Sequence, residues 1–507
     1  MHTHSRTYDI LIIGSGLGGL VCGAILSREG YKVCILEKNR QIGGCLQTYV
    51  RDKTIFDSGV HYIGGLDAGQ NLHQIFKYLG ILDKLKIKRL DQDCFDKLMF
   101  ENDDTSYCLA QGYDNFIEKL LVHFPDEEQA IRTYCDKIKE GCSKVPLYNL
   151  RIGIFNFEKA DILQMDTKEF IDSITDNQRL RDVLGGNNSL YAGEADKTPF
   201  YVHALITNSY IESSWKCVDG GSQIGRLLAR EIRKYEGEIL RNTEVKKLVE
   251  EEGKLTHVSL ADGSKIFANE FISNLHPVKT LEMTDSEVIK KAYRSRLKSL
   301  DNSISSFTLN IVFKENCFPY FNHNVYYNDN GAVWSGSDYT EDNWPRGYAL
   351  FPHAYSDTGR YAKGLSILTY MKYDEVASWA ESHNTVSQKE DRGGEYEAFK
   401  IRKAERLLDK VEKKFPGIRD CIQSYYCATP LSYRDYIGND DGSLYGITKD
   451  YKNPLKSFIS PRTKLPNLYL TGQNLNLHGI LGVTVSSLVT CGEFIGLEEL
   501  VKRINDA

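Results

Sequence analysis

The chain has 507 residues, well above the size at which one hydrophobic core stops growing, so at least two compact units are expected. Hydrophobic residues at 41% and charged residues at 26% match a globular protein, and aromatic residues at 11%, with 31 Tyr, run somewhat high. The net charge of −6, with both signs spread along the whole length, excludes the basic stripe that a nucleic-acid partner requires.

In chain order, residues 1–8 are short and polar, without the apolar run of a signal peptide. Residues 8–13 read as an apolar strand, 17–29 as a helix and 32–36 as a second apolar strand, which together make a βαβ unit. From about 65 to 210 the pattern changes to amphipathic helices, at 71–79, 113–123 and 127–140, as in an inserted second domain. After Gly220-Gly221 the first pattern returns, with a helix at 222–235, a strand at 238–240 and a hairpin through Ala261-Asp262-Gly263. Beyond Pro277 come strands at 305–313 and 365–370 and helices at 375–381 and 397–414, assigned to the second domain. Residues 468–471 form a strand, 472–482 a turn-rich loop and 483–504 largely a helix. The expected class is α/β, a Rossmann-like domain of 1–85, 216–276 and 440–507 interleaved with an α+β substrate domain of 86–215 and 277–439. Twelve Cys are scattered without a C-x-x-C pair, and Cys22 and Cys34 fall in apolar segments, so reduced thiols in a cytoplasmic setting are expected. No run of 18 apolar residues occurs, which argues against a spanning helix.

The chemistry begins at Gly14-Ser15-Gly16-Leu17-Gly18-Gly19, a G-x-G-x-x-G set between the first strand and its helix. Gly14 permits the tight turn, Gly16 lets backbone approach a pyrophosphate, and Gly19 lets the helix lie close to the sheet. Glu37 ends the second strand, where its carboxylate can accept hydrogen bonds from a ribose diol and repels a ribose phosphate. Lys38 follows it, then the glycine pair Gly43-Gly44, and roughly four hundred residues later Asn467-Leu468-Tyr469-Leu470-Thr471-Gly472-Gln473.

In that order these motifs resemble the flavoprotein superfamily of amine oxidases and carotenoid desaturases, a GR2-type flavoprotein fold. More closely, the chain is similar over nearly all its length to the branch of phytoene desaturases, carotenoid isomerases and retinol saturases. Four stretches carry that likeness: Phe56-Asp57-Ser58-Gly59-Val60-His61-Tyr62-Ile63-Gly64, Asp219-Gly220-Gly221-Ser222-Gln223, Asn242-Thr243-Glu244-Val245, and Ala428-Thr429-Pro430-Leu431-Ser432-Tyr433-Arg434-Asp435-Tyr436. The first lies closest to the retinol saturase and carotenoid isomerase side. The resemblance implies non-covalent FAD, with Val245 giving backbone contacts to adenine, Gly472 and Gln473 against the ribitol or pyrophosphate, and Gly482, Val483 and Thr484 capping the flavin ring. It implies hydride exchange with a carbon–carbon double bond of an apolar polyene, the direction left open.

Flavin carries the hydride chemistry, so the protein need only bind it, orient substrate and exclude water. If a proton also moves, His61, His203 and His478 are the candidates, because imidazole titrates near working pH. His478 comes first, since Leu477-His478-Gly479-Ile480-Leu481-Gly482 is the loop expected beside the ring. The alternative for each is a core or turn histidine bonded to a carbonyl. Arg434 and Tyr436 are expected on a sheet facing the flavin, Arg434 as either substrate ligand or structural ion pair. No His or Cys set has metal-ligand spacing, so no metal is expected. A second dinucleotide motif is not visible, which leaves NADH or NADPH as electron donor without a recognisable site. The rival readings are a flavin amine oxidase and a non-catalytic carrier of prenylated lipid on the same fold. An apolar substrate implies peripheral contact with a membrane at its inner face, through residues 145–157, which carry only Arg151 as a charge and read equally as core.

Overall fold

The computed structural model describes residues 7–153 and 161–507. β1 (Thr7–Ile13) and β2 (Val33–Glu37) are buried, and α1 (Leu17–Arg28) between them is apolar on nearly every side. Such a helix must be covered all round. The sheet covers one side, and the helices Ser222–Lys234 and Gly479–Ile495 cover the others.

β1 and β2 sit centrally in a seven-stranded sheet whose order runs Glu238–Arg241, β2, β1, Lys265–Ser273, Lys254–Leu260, Val245–Glu251, with Leu468–Leu470 also pairing with Lys265–Ser273. The strands flanking β1 and β2 run parallel to them, and the 245–273 meander is antiparallel. Three stretches separated by hundreds of residues therefore build one sheet. Parallel neighbours need crossovers, and here helices or long excursions of chain supply them.

A second seven-stranded sheet runs Ile422–Ala428, Ser305–Phe313, Gly364–Met371, Gly347–Pro352, Asn324–Asn328, Asp96–Phe100, Ser106–Leu109. Its last hairpin corrects the purely helical reading of residues 65–210. Asp96–Phe100 alternates buried and half-buried residues over only five positions, too short a signal beside the helical periods around it. Strand Ser305–Phe313 is buried at every position and occupies an inner place in the sheet, as its unbroken apolar run suggests.

Four other readings change. Arg434 and Tyr436, expected on a sheet, lie instead on helix Pro430–Ile437, because Pro430 suits a first helical turn and Thr429 caps it, with Ser432 completing the capping box. Residues 373–379 form a 3-10 helix. The C-terminal helix starts earlier, at Gly479, and breaks at Gly496, whose φ of +90° no helix accommodates, before resuming as Leu497–Asn505. Finally, the expectation that all thiols are reduced fails for four of them. Disulfides join Cys94 to Cys108 and Cys317 to Cys421, with Cα–Cα separations of 4.8 and 5.3 Å. Cys22 and Cys34 are free and buried.

Among the described residues no helix is long and apolar enough to cross a membrane. Of segment 145–157, residues 154–157 lie outside the described residues. The rest turns through a 3-10 helix at Pro146–Asn149 with Tyr148 buried, and Ile152 is exposed.

Candidate functional site

Two cavities meet between the sheets. The first, about 500 Å³, opens at the C-terminal ends of β1 and β2, where parallel sheets bind ligands. Gly14, Gly16, Leu17 and Gly18 line it, and Gly43 and Gly44 face them. Gly14 has φ +90° and Gly43 φ +115°, so the turn holds glycines where a side chain would strain it. Gly19 lies behind the turn, and a Cβ there would stand 2.1 Å from the Gly14 carbonyl oxygen. α1 begins at Gly16 without a side-chain cap, which leaves its first N–H groups and the positive end of its dipole open to an anion.

Glu37 also lines this cavity. Its Oε2 accepts from the Ser15 N–H at 3.1 Å and the Ser15 hydroxyl at 2.6 Å, and its Oε1 from the Asn39 N–H at 2.8 Å. The carboxylate is thus fixed before any ligand arrives, and one of its roughly four lone-pair sites, on Oε1, remains for a diol hydroxyl. Lys38, Val245, Gln473 and Val483 line the same cavity. Gly472, φ +100°, packs against Gly18 and Asn274 rather than at the surface of the cavity. Thr484 is buried inside its helix, donating to the Ile480 carbonyl at 2.7 Å, and Gly482 lines the second cavity.

That second cavity, about 440 Å³, is walled mainly by apolar and aromatic residues, among them Leu205, Phe351, Leu368 and Leu481. No Asp, Glu, Lys or Arg among the described residues lines it. Gly59, Val60, Gly479 and Ile480 line both cavities, so the two share one partition. Helix Gly479–Ile495 starts at that partition with no side-chain cap, turning a second positive helix end toward it.

His61 and His478 lie in the apolar wall. The His61 ring stacks on Phe351 at 4.2 Å, its Nδ1 has no hydrogen-bond partner, and desolvation lowers its pKa to about 3. The His478 ring packs against Tyr445 at 4.3 Å, and desolvation lowers its pKa to about 4. Its Nε2–H donates to the Leu190 carbonyl at 3.1 Å, leaving Nδ1 as an acceptor. His203 lines neither cavity. It lies in the helical core, where its Nε2 and Nδ1 each bond a tyrosine hydroxyl, Tyr134 and Tyr191, at 2.7 Å. Both ring atoms are committed, so this placement is a structural one.

Arg434 borders the dinucleotide cavity, but its guanidinium is used up by Asp435, Tyr373 and the carbonyls of Ala380 and Ser382. That is an ion-pair anchor for the helix, with no donor left for a ligand. Tyr436 borders the same cavity from the same helix.

Sequence reasoning missed three features. Asn274 lines the dinucleotide cavity and wedges between glycines, its side chain 2.7 Å from where a Gly16 Cβ would stand; its signal is a lone Asn ending strand Lys265–Ser273. Asn476 lines the apolar cavity with an unpartnered Oδ1. In that wall Tyr62 and Tyr326 share a 2.8 Å hydrogen bond, and Tyr62 donates at 2.9 Å to Oδ2 of Asp96, which does not line the cavity. Burial raises the Asp96 pKa to about 6 and lowers that of the nearby buried Lys216 to about 7. Among the described residues no group of His, Cys, Asp and Glu is arranged to hold a metal ion.

Residues 12–79 match the family of NAD(P)-binding Rossmann-like domains. The human all-trans-retinol 13,14-reductase is 26% identical over 95% of this chain and 84% of its own length. The chloroplastic prolycopene isomerase of Daucus carota is 25% identical over 98% of this chain and 82% of its own. An oxidoreductase of known structure from Methanosarcina mazei superposes with a TM-score of 0.64 at 14% identity, over 95% of this chain and 99% of that one, which is a likeness of fold. With the glycine cradle and the fixed Glu37, the chain is thus similar over nearly its whole length to a retinol 13,14-reductase and a prolycopene isomerase, and carries a Rossmann-like dinucleotide-binding unit at its start.

Proposed function

We propose that the chain is an FAD-dependent oxidoreductase acting on a carbon–carbon double bond of an apolar polyene, by hydride exchange with non-covalent flavin. The observation that carries this reading is the shared partition. A glycine-lined dinucleotide cavity abuts an apolar cavity at Gly59, Val60, Gly479 and Ile480, so a ring ending the one ligand would face the other ligand there. The residues fit FAD: the Gly14–Gly18 turn and the α1 N-terminus suit a pyrophosphate, Glu37 a ribose diol, and Val245 and Gln473 complete the walls. Bound there, FAD supplies the hydride chemistry.

The chain's own residues do the rest. The apolar wall excludes water and aligns an extended hydrocarbon, with a volume in the range of small-molecule sites. Among the described residues the wall holds no carboxylate as counter-ion to an ammonium group, which disfavours an amine substrate. The uncapped end of helix Gly479–Ile495 presents about half a positive charge to anything negative at the partition. His61, in the apolar wall next to the partition residues Gly59 and Val60, is the group proposed to hold or move a proton at the double bond. The His478 Nδ1 is the second acceptor available. The reductase and isomerase named above act, by their names, on retinol and prolycopene, which supports a polyene here.

The test is product analysis under anaerobic conditions. Flavin-loaded protein, oxidised in one series and reduced with dithionite in another, is incubated with all-trans-retinol or a carotenoid, and the products are separated by chromatography. A saturated or isomerised polyene from the reduced series, or a desaturated one from the oxidised series, is expected. Inertness of both series toward every polyene, with oxidation of a polyamine by the oxidised series, overturns the reading in favour of an amine oxidase.

A further inference from the structure

Outside both cavities, a third cleft of about 600 Å³ is lined by five arginines. Arg226, Arg230 and Arg233 come from helix Ser222–Lys234, at i, i+4 and i+7, and so share one face. Arg241 ends the sheet's edge strand and Arg40 lies beyond β2. All five side chains are exposed. Arginine stays charged at any working pH, so five positive charges converge on one concavity in a chain whose net charge is −6.

A solvated helix face usually interleaves the two signs. Here no described carboxylate forms an ion pair with any of the five, and nearby acids are committed elsewhere. Glu231 pairs with Lys84 and Lys234, Glu37 with Ser15 and Asn39, and Glu238 accepts from Tyr8. Like charges at i, i+4 repel, so this stripe weakens its own helix unless an anion offsets it. Two guanidiniums are already oriented: Arg226 Nη1 donates to Ser222 Oγ at 2.8 Å, which itself accepts from Thr48 Oγ1 at 2.9 Å, and Arg241 Nη1 donates to the Arg40 carbonyl at 3.5 Å. Thr385 and Ser387 add neutral donors on the opposite wall.

The stripe from Arg226 to Arg233 spans seven residues, roughly 10 Å at the helical rise. That is longer than one phosphate needs and suits two in a row, each taken by the planar fork of an arginine. The cleft shares only Asn39, Gln47 and Tyr436 with the dinucleotide cavity and none of its glycines, so it is a separate site. We propose that this cleft binds a ligand bearing paired phosphates, whether a soluble diphosphate or adjacent acidic headgroups of a lipid surface.

The test uses the full chain with FAD in excess, so that the dinucleotide cavity is occupied. Inorganic pyrophosphate is titrated calorimetrically, and vesicles of phosphatidic acid are compared with vesicles of phosphatidylcholine by co-sedimentation. The variants are a triple Arg226→Gln, Arg230→Gln, Arg233→Gln and its Lys counterpart, with circular dichroism and flavin absorbance per chain as controls for folding and for the other site. Saturable pyrophosphate binding is expected, weakened at least ~10-fold by the Gln triple and less by the Lys triple, which keeps charge but loses the fork. Binding to phosphatidic acid alone, lost in the Gln triple, also upholds the site and assigns it to lipid. Binding of neither probe, or equal binding by wild type and the Gln triple, overturns the proposal.

Discussion

With their imidazoles lowered to about 3 and about 4, His61 and His478 are neutral across the working range of pH, so neither imposes a titration there. The cause is desolvation by an apolar wall, the same property that suits a polyene. Replacing His61 by Phe keeps the stacking on Phe351 and removes the ring nitrogens. If His61 moves the proton, turnover falls by about 10²–10⁴-fold while flavin content stays unchanged. Unchanged turnover in that variant would remove His61 from the chemistry. Lys216, like the buried Lys449, is a group whose titration should appear in stability. Burial lowers its pKa from 10.5 to about 7, so between those values the unfolded chain binds a proton that the folded chain does not. Stability therefore rises with pH across that window, and the contribution is lost as pH falls toward 7. Thermal melts of Lys216→Met against wild type should show the variant relatively more stable at pH 7 than at pH 9.5. An equal difference at both values contradicts the shifted lysine.

At the scale of elements, the helix starts at the cavities leave their first N–H groups without a side-chain acceptor, as do several other helices such as Asn71–Tyr78 and Tyr113–Leu121. α1 and helix Gly479–Ile495 begin uncapped, whereas Pro430–Ile437 begins with a capping box in which Thr429 also bonds the Tyr396 hydroxyl at 2.8 Å. Thr429→Ala should cost about 1–2 kcal/mol in denaturant unfolding, with Thr429→Ser close to wild type. Equal loss in both would mean that the cap does not hold this helix. Gly19→Ala acts on the cradle instead, because its Cβ has no room against the Gly14 carbonyl. It should weaken flavin binding at least ~10-fold, read by fluorescence titration of FAD, and retention of wild-type affinity would contradict the close approach. The βαβ unit was legible because glycine spacing, apolar strands and Glu37 all report on the same local geometry. Arg434 and Tyr436 do not read as helical because the start signal of their helix, Thr429-Pro430, follows directly on the strand Ile422–Ala428. The hairpin at 96–109 was missed because its strands are short and depend on partners, 324–328 above all, more than two hundred residues away.

Across the whole molecule, the site exists only after distant segments meet. The partition joins residues 59–60 to 479–480, and Asn274 packs between the first glycine loop and Gly472. No local pattern encodes such meetings, which is why His478 could be placed near the expected ring while Asn274, Asn476 and the Tyr62–Asp96 network could not. His203 was a fair candidate by residue type, but its two tyrosine partners, at 134 and 191, are brought to it only by tertiary packing. The central claim is that the glycine-lined cavity holds flavin beside an apolar chamber. The absorption spectrum of the purified protein, then of the supernatant after heat denaturation, tests it most directly. A flavin spectrum approaching one flavin per chain that passes wholly into the supernatant is the predicted result; a colourless protein that also fails to bind added FAD would contradict the account.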